Sequence, residues 1–403
     1  MPHTRHRHLT PLLQKTLRYS PITGVFGHRQ VGKTTLVAQL AGQYSTFDQA
    51  LALDYANRDP EGFLKGHEMG KTPFVIDECQ LAPPLFPALK ERIRTHPKPG
   101  QFLLTGSVRF SSRKAIKESL TGRMIAWDLL PMDLSELHEH DMPDSLVKIA
   151  KAKTIGLDLK SPKYFSHKAY SEYLQKGGLP GVFSVCDLAI REQKFETQLN
   201  TMLERDLKLI VQTTLPYATL RLLLATLAKM QGLPLDLTNL SRQSRISVPT
   251  TKKLLISLES MFLIRTLKTR GTETKPIVFL EDQGEASFLS EGQSHELHDL
   301  LRFCFANFRV QFIYKTELKA EFFQYRNRGG AHVPLAIQIN ADKNRYHLGV
   351  IPILGTTPTP HDLGSAYSFL KKFSFSKILF VTLNEVDRVL SDAMRVIFIG
   401  KLV

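Results

Sequence analysis

Short apolar runs alternate with amphipathic stretches through the first third of the chain. The runs lack a regular polar alternation, as expected for strands that are buried on both faces of a sheet. They lie at residues 22–26, 50–54, 74–76 and 102–104, with a weaker fifth run at 124–129. A helical pattern at 34–41 is followed by Gly42, a residue that often ends helices. This order predicts a parallel, three-layer α/β domain over residues 1–135.

The rest of the chain divides into three further predicted domains. Residues 136–215 are predicted to be a helical linker that contains one long helix at 189–209. In residues 216–275, three helical patterns precede a strand at 262–267, which is the order of a winged helix-turn-helix. Residues 276–403 predict a second, smaller α/β domain. Its strands are predicted at 277–280, 310–314, 321–325, 333–339, 347–353, 377–381 and 395–399, and its helices at 295–308 and 364–373.

The residues after the first strand fill every fixed position of the phosphate-binding P-loop, G-x-x-x-x-G-K-[ST]. Glycines there let successive backbone N–H groups face one anion, and the following helix adds its positive end. Lys33 is predicted to reach the β- and γ-phosphates, and the Thr34 hydroxyl to bind Mg²⁺. The strand before and the helix behind argue against an ordinary glycine turn. The predicted nucleotide-binding residues are Gly27, His28, Arg29, Gln30, Val31, Gly32, Lys33, Thr34 and Thr35.

Two acids follow the third apolar run directly. Asp77 is predicted to hold Mg²⁺ at the carboxyl end of a buried strand. Glu78, one residue further, is predicted to be the general base that polarises the attacking water. Taken alone, the pair is equally consistent with a strand that ends in two solvated acids. The upstream P-loop favours the catalytic interpretation.

Candidates for two further tasks lie in the next segment. Thr105 and Ser107 follow the strand at 102–104 and could touch the water or the γ-phosphate, although a polar turn is an equally good interpretation. Charge that develops on the γ-phosphoryl group also needs a cation. Arg109, Arg113 and Arg123 are candidates, of which Arg123 is preferred, and solvated surface arginines are the alternative.

Charge points to a polyanionic partner. The chain of 403 residues carries a formal net charge of +15. Residues 205–275 hold 12 Lys and Arg against 4 Asp and Glu, a local excess of 12 − 4 = +8. Duplex DNA is therefore a predicted partner of the winged helix, with Thr250 and Thr251 opening its recognition helix. A winged helix that serves only for protein packing is the alternative. The predicted nucleic-acid contacts are Arg242, Arg245, Lys252 and Lys253.

Composition argues for a cytoplasmic protein without a membrane partner. No apolar run approaches the roughly 18–20 residues that cross a bilayer, and the first residues lack the apolar stretch of a signal peptide. Cys79, Cys186 and Cys304 lie far apart and form no C-x-x-C pair, which argues for a reducing compartment and against zinc. They are expected to be small buried hydrophobes.

Several local patterns occur together in one order along the chain. They are Gly27–Thr35, Leu53-Asp54 with Asp59-Pro60, Ile76-Asp77-Glu78-Cys79-Gln80 before Pro84-Leu85-Phe86, Leu104-Thr105-Gly106-Ser107, Leu120–Arg123 with Leu130-Pro131, Gly177-Gly178-Leu179-Pro180, and Glu204-Arg205-Asp206. Together they resemble a widespread group of bacterial and archaeal AAA-type P-loop ATPases. The resemblance implies a P-loop domain, a winged helix and a C-terminal domain of restriction-nuclease-like fold. It is strong through residue 206 and weaker beyond.

The chain departs from this family where nuclease acids would lie. The family commonly has Glu-Val-Asp-Phe on one strand, where this chain has His332-Val333-Pro334-Leu335. The expected Glu-x-Lys strand is here Ile351-Pro352-Ile353-Leu354-Gly355-Thr356. Since Mg²⁺-dependent cleavage needs those carboxylates, nuclease activity is not expected. His28, where the family usually has proline, is a smaller departure.

The sequence thus supports two main hypotheses. The first is an Mg²⁺-dependent ATPase whose conformational change is coupled to DNA, with an arginine that a second copy of the chain could supply. The second is a slow nucleotide switch that binds a protein partner and has no DNA role. ATP and Mg²⁺ are the implied ligands in both, and no residue distinguishes ATP from GTP.

Overall fold

The computed structural model describes residues 5–67, 71–109, 120–293, 295–341 and 343–403. These residues form two compact units. The first comprises the described parts of Met1–Pro131 together with Leu179–Ser184 and Ile256–Leu263. The second comprises Met132–Gly178, Val185–Leu255 and the described parts of Ile264–Val403. The four-domain division stays a prediction.

A parallel sheet is the centre of the first unit. Its strands, as far as the chain is described, are β1 (Ile22–Gly27), β2 (Gln43–Thr46), β3 (Phe74–Asp77), β4 (Phe102–Gly106) and β5 (Met124–Leu129). Their order is β2-β3-β4-β1-β5, and every neighbouring pair is parallel. β1, β3 and β4 are buried along their whole length, as their continuous apolar sequences predict. All carboxyl ends therefore meet at one edge.

Helices cover this sheet. They are α1 (Thr10–Leu17), α2 (Lys33–Ala38), α3 (Ala50–Arg58), α4 (Pro60–Lys65) and α5 (Leu85–Thr95), and a 3-10 turn spans Cys79–Leu81. One face of α5 is buried through Phe86, Leu89 and Ile93, which share a core cluster with Ile76 and Leu104. The α/β fold with a parallel sheet is thus confirmed.

One strand was predicted at the wrong place. Residues 50–54 begin α3, and the strand is β2, which ends at Thr46, before this segment. Leu51 is 88 % exposed, while Ala52, Leu53 and Ala56 pack on the core, which is a helical spacing. The edge strand β2 carries mostly polar residues and gave no apolar signal.

Further helices follow β5. They are α6 (Leu134–Leu137), α7 (Ser145–Lys151), α8 (His167–Lys176), α9 (Pro180–Phe183), α10 (Leu188–Thr201), α11 (Tyr217–Lys229), α12 (Leu237–Ser244), α13 (Val248–Ser260), α14 (Gln283–Leu289), α15 (Glu296–Ile313) and α16 (Pro360–Lys372). The long helix predicted at 189–209 is α10, continued by a π turn (Met202–Asp206) and a 3-10 turn (Leu207–Leu209). Further 3-10 turns span Thr316–Leu318 and Ile399–Lys401.

A mixed sheet is the centre of the second unit. Its strands within the described ranges are β6 (Ile264–Gly271), β7 (Ile277–Leu280), β8 (Glu321–Arg326), β9 (His332–Ala341), β10 (Asn344–Pro352), β11 (Ser376–Thr382), β12 (Asp387–Ser391) and β13 (Met394–Phe398). Their order is β12-β13-β11-β10-β9-β8-β6-β7. This sheet has eight strands within the described ranges, against five in the sheet of the first unit. β6 also pairs with β8, so the predicted boundary at 275/276 cuts through one sheet.

One predicted strand in this unit is wrong, and one strand was not predicted. The strand predicted at 310–314 is the last turn of α15, because an apolar run of this length fits a buried helix as well as a strand. β12 was missed, since all its residues are exposed and it lacks an apolar face. Cys79 and Cys304 are buried as expected, but Cys186 is exposed.

The order of α11, α12, α13, β6 and β7 is the predicted order of three helices and a strand pair. The interpretation of these elements as a winged helix remains a prediction. Among the described residues, no helix combines the length and apolar character needed to span a membrane.

Candidate functional site

The P-loop lies between β1 and α2, at the carboxyl edge of the parallel sheet. Gln30 has φ 60° and Gly32 has φ 97°, so the backbone curls back on itself between the strand and the helix. A Cβ atom at Gly27 would collide with the carbonyl oxygen of Leu129 on the neighbouring strand. Glycine is therefore required at the first position of the motif for packing, in addition to its role in the turn.

Lys33 is folded over the loop that precedes it. Its side chain is 5 % exposed, and its Nζ atom donates to the carbonyl oxygens of Gly27 at 3.1 Å and His28 at 3.0 Å. The ammonium group thus lies within the curl of the loop. This is the position in which a P-loop lysine can meet phosphate oxygens.

Asp77 accepts hydrogen bonds from three hydroxyl groups. Thr34 Oγ1 donates to Asp77 Oδ2 at 2.7 Å, and the Tyr44 hydroxyl donates to the same oxygen at 2.6 Å. Thr105 Oγ1 donates to Oδ1. The Asp77 side chain is 2 % exposed, so the three donors offset much of the cost of burying a carboxylate.

Glu78 has a left-handed backbone conformation, with φ 56° and ψ 41°. This conformation is uncommon for a residue with a side chain, and such residues often occur at functional sites. Its carboxylate oxygen Oε2 accepts from Gln80 Nε2 at 2.5 Å and from Ser107 Oγ at 3.3 Å. The candidate base is therefore held by two neutral donors.

Sequence reasoning missed Tyr44 and Gln80. Tyr44 lies on the polar edge strand β2, which no periodicity predicted. Burial, together with the hydrogen bond to Asp77 and its negative charge, raises the pKa of Tyr44 well above its ordinary value, so its hydroxyl stays a donor. Gln80 lies in the 3-10 turn after β3, within a motif that was noted only for its resemblance.

Two other segments of the first unit approach the P-loop. Arg7 is 5 % exposed and donates through Nη1 to the Val31 carbonyl at 2.7 Å. Its Nη2 atom donates to the Leu130 carbonyl at 2.5 Å. Pro180, at the start of α9, lies 3.4 Å from the position that a Cβ atom at Gly32 would take. Distant parts of the sequence therefore support this loop.

The arginine candidates differ in position. Arg109 follows β4 at the P-loop edge, but its Nη1 atom is paired with Asp128 Oδ2 at 2.6 Å. Arg123 precedes β5, where Met124 is the partner of Ile22. It therefore lies at the amino edge of the sheet, opposite the P-loop. The prediction that Arg123 serves as the cation in the site of its own chain is therefore wrong. Arg113 lies outside the described residues.

All four predicted nucleic-acid residues are exposed. Arg242 lies in the last turn of α12, and Arg245 follows with φ 58°. Lys252 and Lys253 lie on the first turns of α13, with both side chains outward. Thr251, between Thr250 and Lys252, is fully buried. Four exposed cations on consecutive elements can meet phosphate groups.

In the larger sheet, the run His332-Val333-Pro334-Leu335 lies on β9, and residues 351–352 end β10. His332 Nε2 and Gln324 Oε1 are 3.1 Å apart. Burial, with smaller effects of Arg326 and His361, lowers the pKa of His332 to about 4. This histidine is therefore neutral at physiological pH.

The residues at the P-loop edge fit a magnesium–nucleotide ligand. Thr34 and Asp77 offer the hard oxygen donors that Mg²⁺ prefers. The described part of the chain has no group of three or more His, Cys, Asp or Glu side chains that could hold a metal alone. A protein site of two oxygen donors is typical of Mg²⁺, which usually keeps waters and phosphate oxygens as its other ligands.

Comparison with known proteins identifies one part of the chain. Residues 19–138 match the model of a family described as AAA domain, and residues 167–274 match a domain of unknown function. Over residues 19–138 the chain is thus similar to AAA domains, as the resemblance implied. The winged helix and the nuclease-like domain remain predictions.

Solved structures and curated proteins add less. A Walker-type ATPase of Pyrococcus abyssi is 16 % identical, with a TM-score of 0.38, over 72 % of this chain and 98 % of that chain. A signal transduction ATPase with numerous domains and a tetratricopeptide repeat sensor, from Pyrococcus horikoshii, is 14 % identical, with a TM-score of 0.28. That match covers 78 % of this chain and 48 % of that chain. No curated protein matches the chain.

Proposed function

We propose that the protein is an Mg²⁺-dependent ATPase whose nucleotide cycle changes its conformation and is coupled to binding of duplex DNA. The observation that carries the ATPase part is the contact between Thr34 and Asp77, 2.7 Å apart beside the P-loop. The match of this segment to the AAA domain family supports the same function.

Each residue has a task that follows from its position. Lys33 and the amides of the curled loop neutralise phosphate oxygens. Glu78 orients the attacking water and accepts its proton once a ligand has displaced its present donors. Thr105, which contacts Asp77, fixes the carboxylate in place. Mg²⁺, held by Thr34 and Asp77, would neutralise phosphate charge when bound.

A cation for the charge that develops on the γ-phosphoryl group is still needed. Arg109 is occupied by Asp128, and Arg123 lies at the far edge of its own sheet. We therefore propose that a second copy of the chain supplies this cation, with Arg123 as the candidate. The protein would then hydrolyse ATP as an oligomer.

The coupling to DNA rests on Arg109 and helix α13. The backbone N–H of Arg109 donates to the Ser260 carbonyl at 2.7 Å, and its Nε atom donates to the Glu259 carbonyl at 3.0 Å. These carbonyl groups lie at the end of α13, and Lys252 and Lys253 lie near its start. A shift of Arg109 would therefore act on the helix that carries two of the predicted DNA contacts.

One observation favours the alternative of a slow switch. The Glu78 carboxylate is already bonded to Gln80 and Ser107, which would slow hydrolysis if these bonds persisted with ATP bound. The conformational change would then serve a protein partner, and DNA would have no effect.

Steady-state ATP turnover with and without duplex DNA at low salt distinguishes the two. We expect DNA to raise turnover, with a gain that falls as salt rises. Lys252→Ala with Lys253→Ala should reduce the gain and lower the salt slope of DNA binding by about 2, one for each lost phosphate contact. Lys371→Ala with Lys372→Ala, an exposed adjacent pair on α16, is the matched control.

Lys33→Ala should abolish turnover under all conditions. If ATP binds but turnover stays near zero with and without DNA, the slow switch is the better proposal. If DNA raises the turnover of the two double variants equally, Lys252 and Lys253 do not contribute to DNA binding.

A further inference from the structure

The second unit contains a cavity of about 490 Å³ between four helices. α8, α10, α14 and α15 form its walls, and the turn at Ser290–Gly292 closes one side. None of its lining residues belongs to the unit that carries the P-loop. The volume is in the range of sites that bind small molecules.

Arg302 on α15 is the most unusual residue of this cavity. The residue is 5 % exposed, and its Nε atom is buried without a hydrogen-bond partner among the described residues. Its Nη2 atom pairs with Asp299 Oδ1 at 3.4 Å, which is long for a charge-assisted bond. Burial lowers the pKa of this guanidinium from its ordinary value. A buried guanidinium is costly unless an anion and further acceptors satisfy it.

A second buried arginine lines the same space. Arg191 on α10 is 7 % exposed and donates through Nη1 to the Val185 carbonyl at 3.1 Å. In the part of the chain that the structure describes, its Nε and Nη2 atoms have no acceptor. Two arginines with unused donors therefore line one cavity.

The remaining walls offer hydroxyl groups and an apolar surface. Ser287 and Ser290 lie on the side of α14, and Ser171 lies on the exposed rim. Phe195 and Phe288 stack with ring centroids 5.7 Å apart. The acids Glu192 and Glu291 are exposed at the rim, whereas the two arginines are buried.

We propose that this cavity binds a small organic anion, whose carboxylate or phosphate group pairs with Arg302 and Arg191 and whose apolar body packs on Phe195. Guanidinium groups bind both oxyanions through parallel N–H donors, so the two chemistries share one recognition mode. The site is independent of nucleotide binding at the P-loop.

The test is calorimetric titration of the full-length protein with three probes of similar size. 3-Phenylpropionate and phenyl phosphate carry the two oxyanions, and 3-phenylpropanol is the uncharged control. All titrations use the Lys33→Ala background, so that phosphate binding at the P-loop does not contribute. We expect at least one anion to bind at least tenfold more tightly than the alcohol, and the better anion identifies the headgroup.

Variants of the lining residues test whether the probes bind in this cavity. Arg191→Gln should weaken binding about tenfold through loss of one charge-assisted contact, and Arg302→Gln should abolish it. Because Arg302→Gln could disturb folding, a second variant is needed. Ser171→Trp places a large side chain at the exposed rim, where it should fill the cavity and block binding of the probes while both arginines remain. Arg345→Gln, at an exposed arginine of β10, should leave binding unchanged.

The proposal is overturned if neither anion binds at millimolar concentration, or if the alcohol binds as well as the anions. It is equally overturned if Ser171→Trp and Arg191→Gln bind the probes like the parent. None of these results bears on ATP turnover at the P-loop.

Discussion

The two sheets of this molecule both carry polar side chains, but they use them differently. At the edge of the parallel sheet, the buried carboxylate of Asp77 accepts hydrogen bonds from the hydroxyl groups of Thr34, Tyr44 and Thr105. In the mixed sheet, Gln324 donates to Thr269 Oγ1 and to the Lys275 carbonyl, both at 2.7 Å. Both bonds join neutral groups, and Thr269 lies on β6, the strand next to that of Gln324.

The difference is one of charge. A buried carboxylate surrounded by donors attracts a cation, and the lysine of the P-loop attracts an anion. A neutral network of amides and an uncharged histidine attracts neither and mainly satisfies its own buried groups. The charged groups at the P-loop edge thus suit ligands of both signs, whereas the neutral network around Gln324 and His332 suits neither.

The largest expected effect tests the charged edge. Glu78→Gln removes the candidate base but keeps the shape of the side chain, so turnover should fall by about 100-fold or more while ATP still binds. Single-turnover hydrolysis and equilibrium binding of a fluorescent ATP analogue measure the two quantities separately. Glu61→Gln, an exposed acid on α4, is the control. Turnover near the parent value would remove Glu78 from the mechanism.

The second prediction tests the neutral network. The pKa of His332 is lowered to about 4 by burial, against about 6.5 for an unfolded chain. Between these values the unfolded state binds more protons, so stability is lost as pH falls from 6.5 towards 4. The loss between pH 7.5 and 5 should be about 2 kcal/mol.

Urea unfolding at both pH values measures this effect. His332→Gln should remove that part of the pH dependence, whereas His96→Gln, at an exposed position, should keep it. An unchanged pH dependence in His332→Gln would mean that this histidine is protonated in the folded protein. The contrast between the two sheets would then be weaker than we describe.

The sequence alone could predict part of the fold and part of the candidate site. The P-loop and the acids after β3 are local motifs, so Lys33, Thr34, Asp77 and Glu78 could be named without coordinates. The α/β class followed from buried strands with continuous apolar runs. Ambiguity arose in short apolar runs, such as 50–54 and 310–314, where a strand and a buried helix have the same composition.

The missing parts of the site are those that tertiary structure alone brings together. Arg7 lies 24 residues before Val31, and Tyr44 lies 33 residues before Asp77. Neither residue belongs to a motif. The placement of Arg123 failed for a related reason, since strand register decides at which edge of the sheet a residue lies.

A smaller effect is expected from the support of the loop by Arg7. Arg7→Gln removes charge-assisted bonds to the carbonyls of Val31 and Leu130. Such bonds contribute about 1.5–3 kcal/mol each to stability. Only part of this free energy should affect ATP binding, so the KM for ATP should rise about tenfold. Because the bond of Arg7 to the loop is made with a backbone carbonyl group, kcat should change less than KM. Arg18→Gln, exposed after α1, should change neither value, and a fall in kcat alone would assign Arg7 a different role.

The smallest effect concerns Tyr44, which separates positioning from chemistry at the charged edge. Tyr44→Phe removes one donor to Asp77 and leaves Thr34 and Thr105 in place. One hydrogen bond to a charged group has a modest net value, so the Mg²⁺ concentration for half-maximal turnover should shift by about threefold to tenfold.

Because the raised pKa of Tyr44 keeps its hydroxyl protonated, the parent should show no loss of turnover from this residue up to pH 10. Tyr19→Phe, at a tyrosine that is 76 % exposed, is the control. If Tyr44→Phe matches the parent in its Mg²⁺ dependence, Asp77 is held well enough by the two threonines alone, and the third hydroxyl only satisfies the carboxylate in the absence of a ligand.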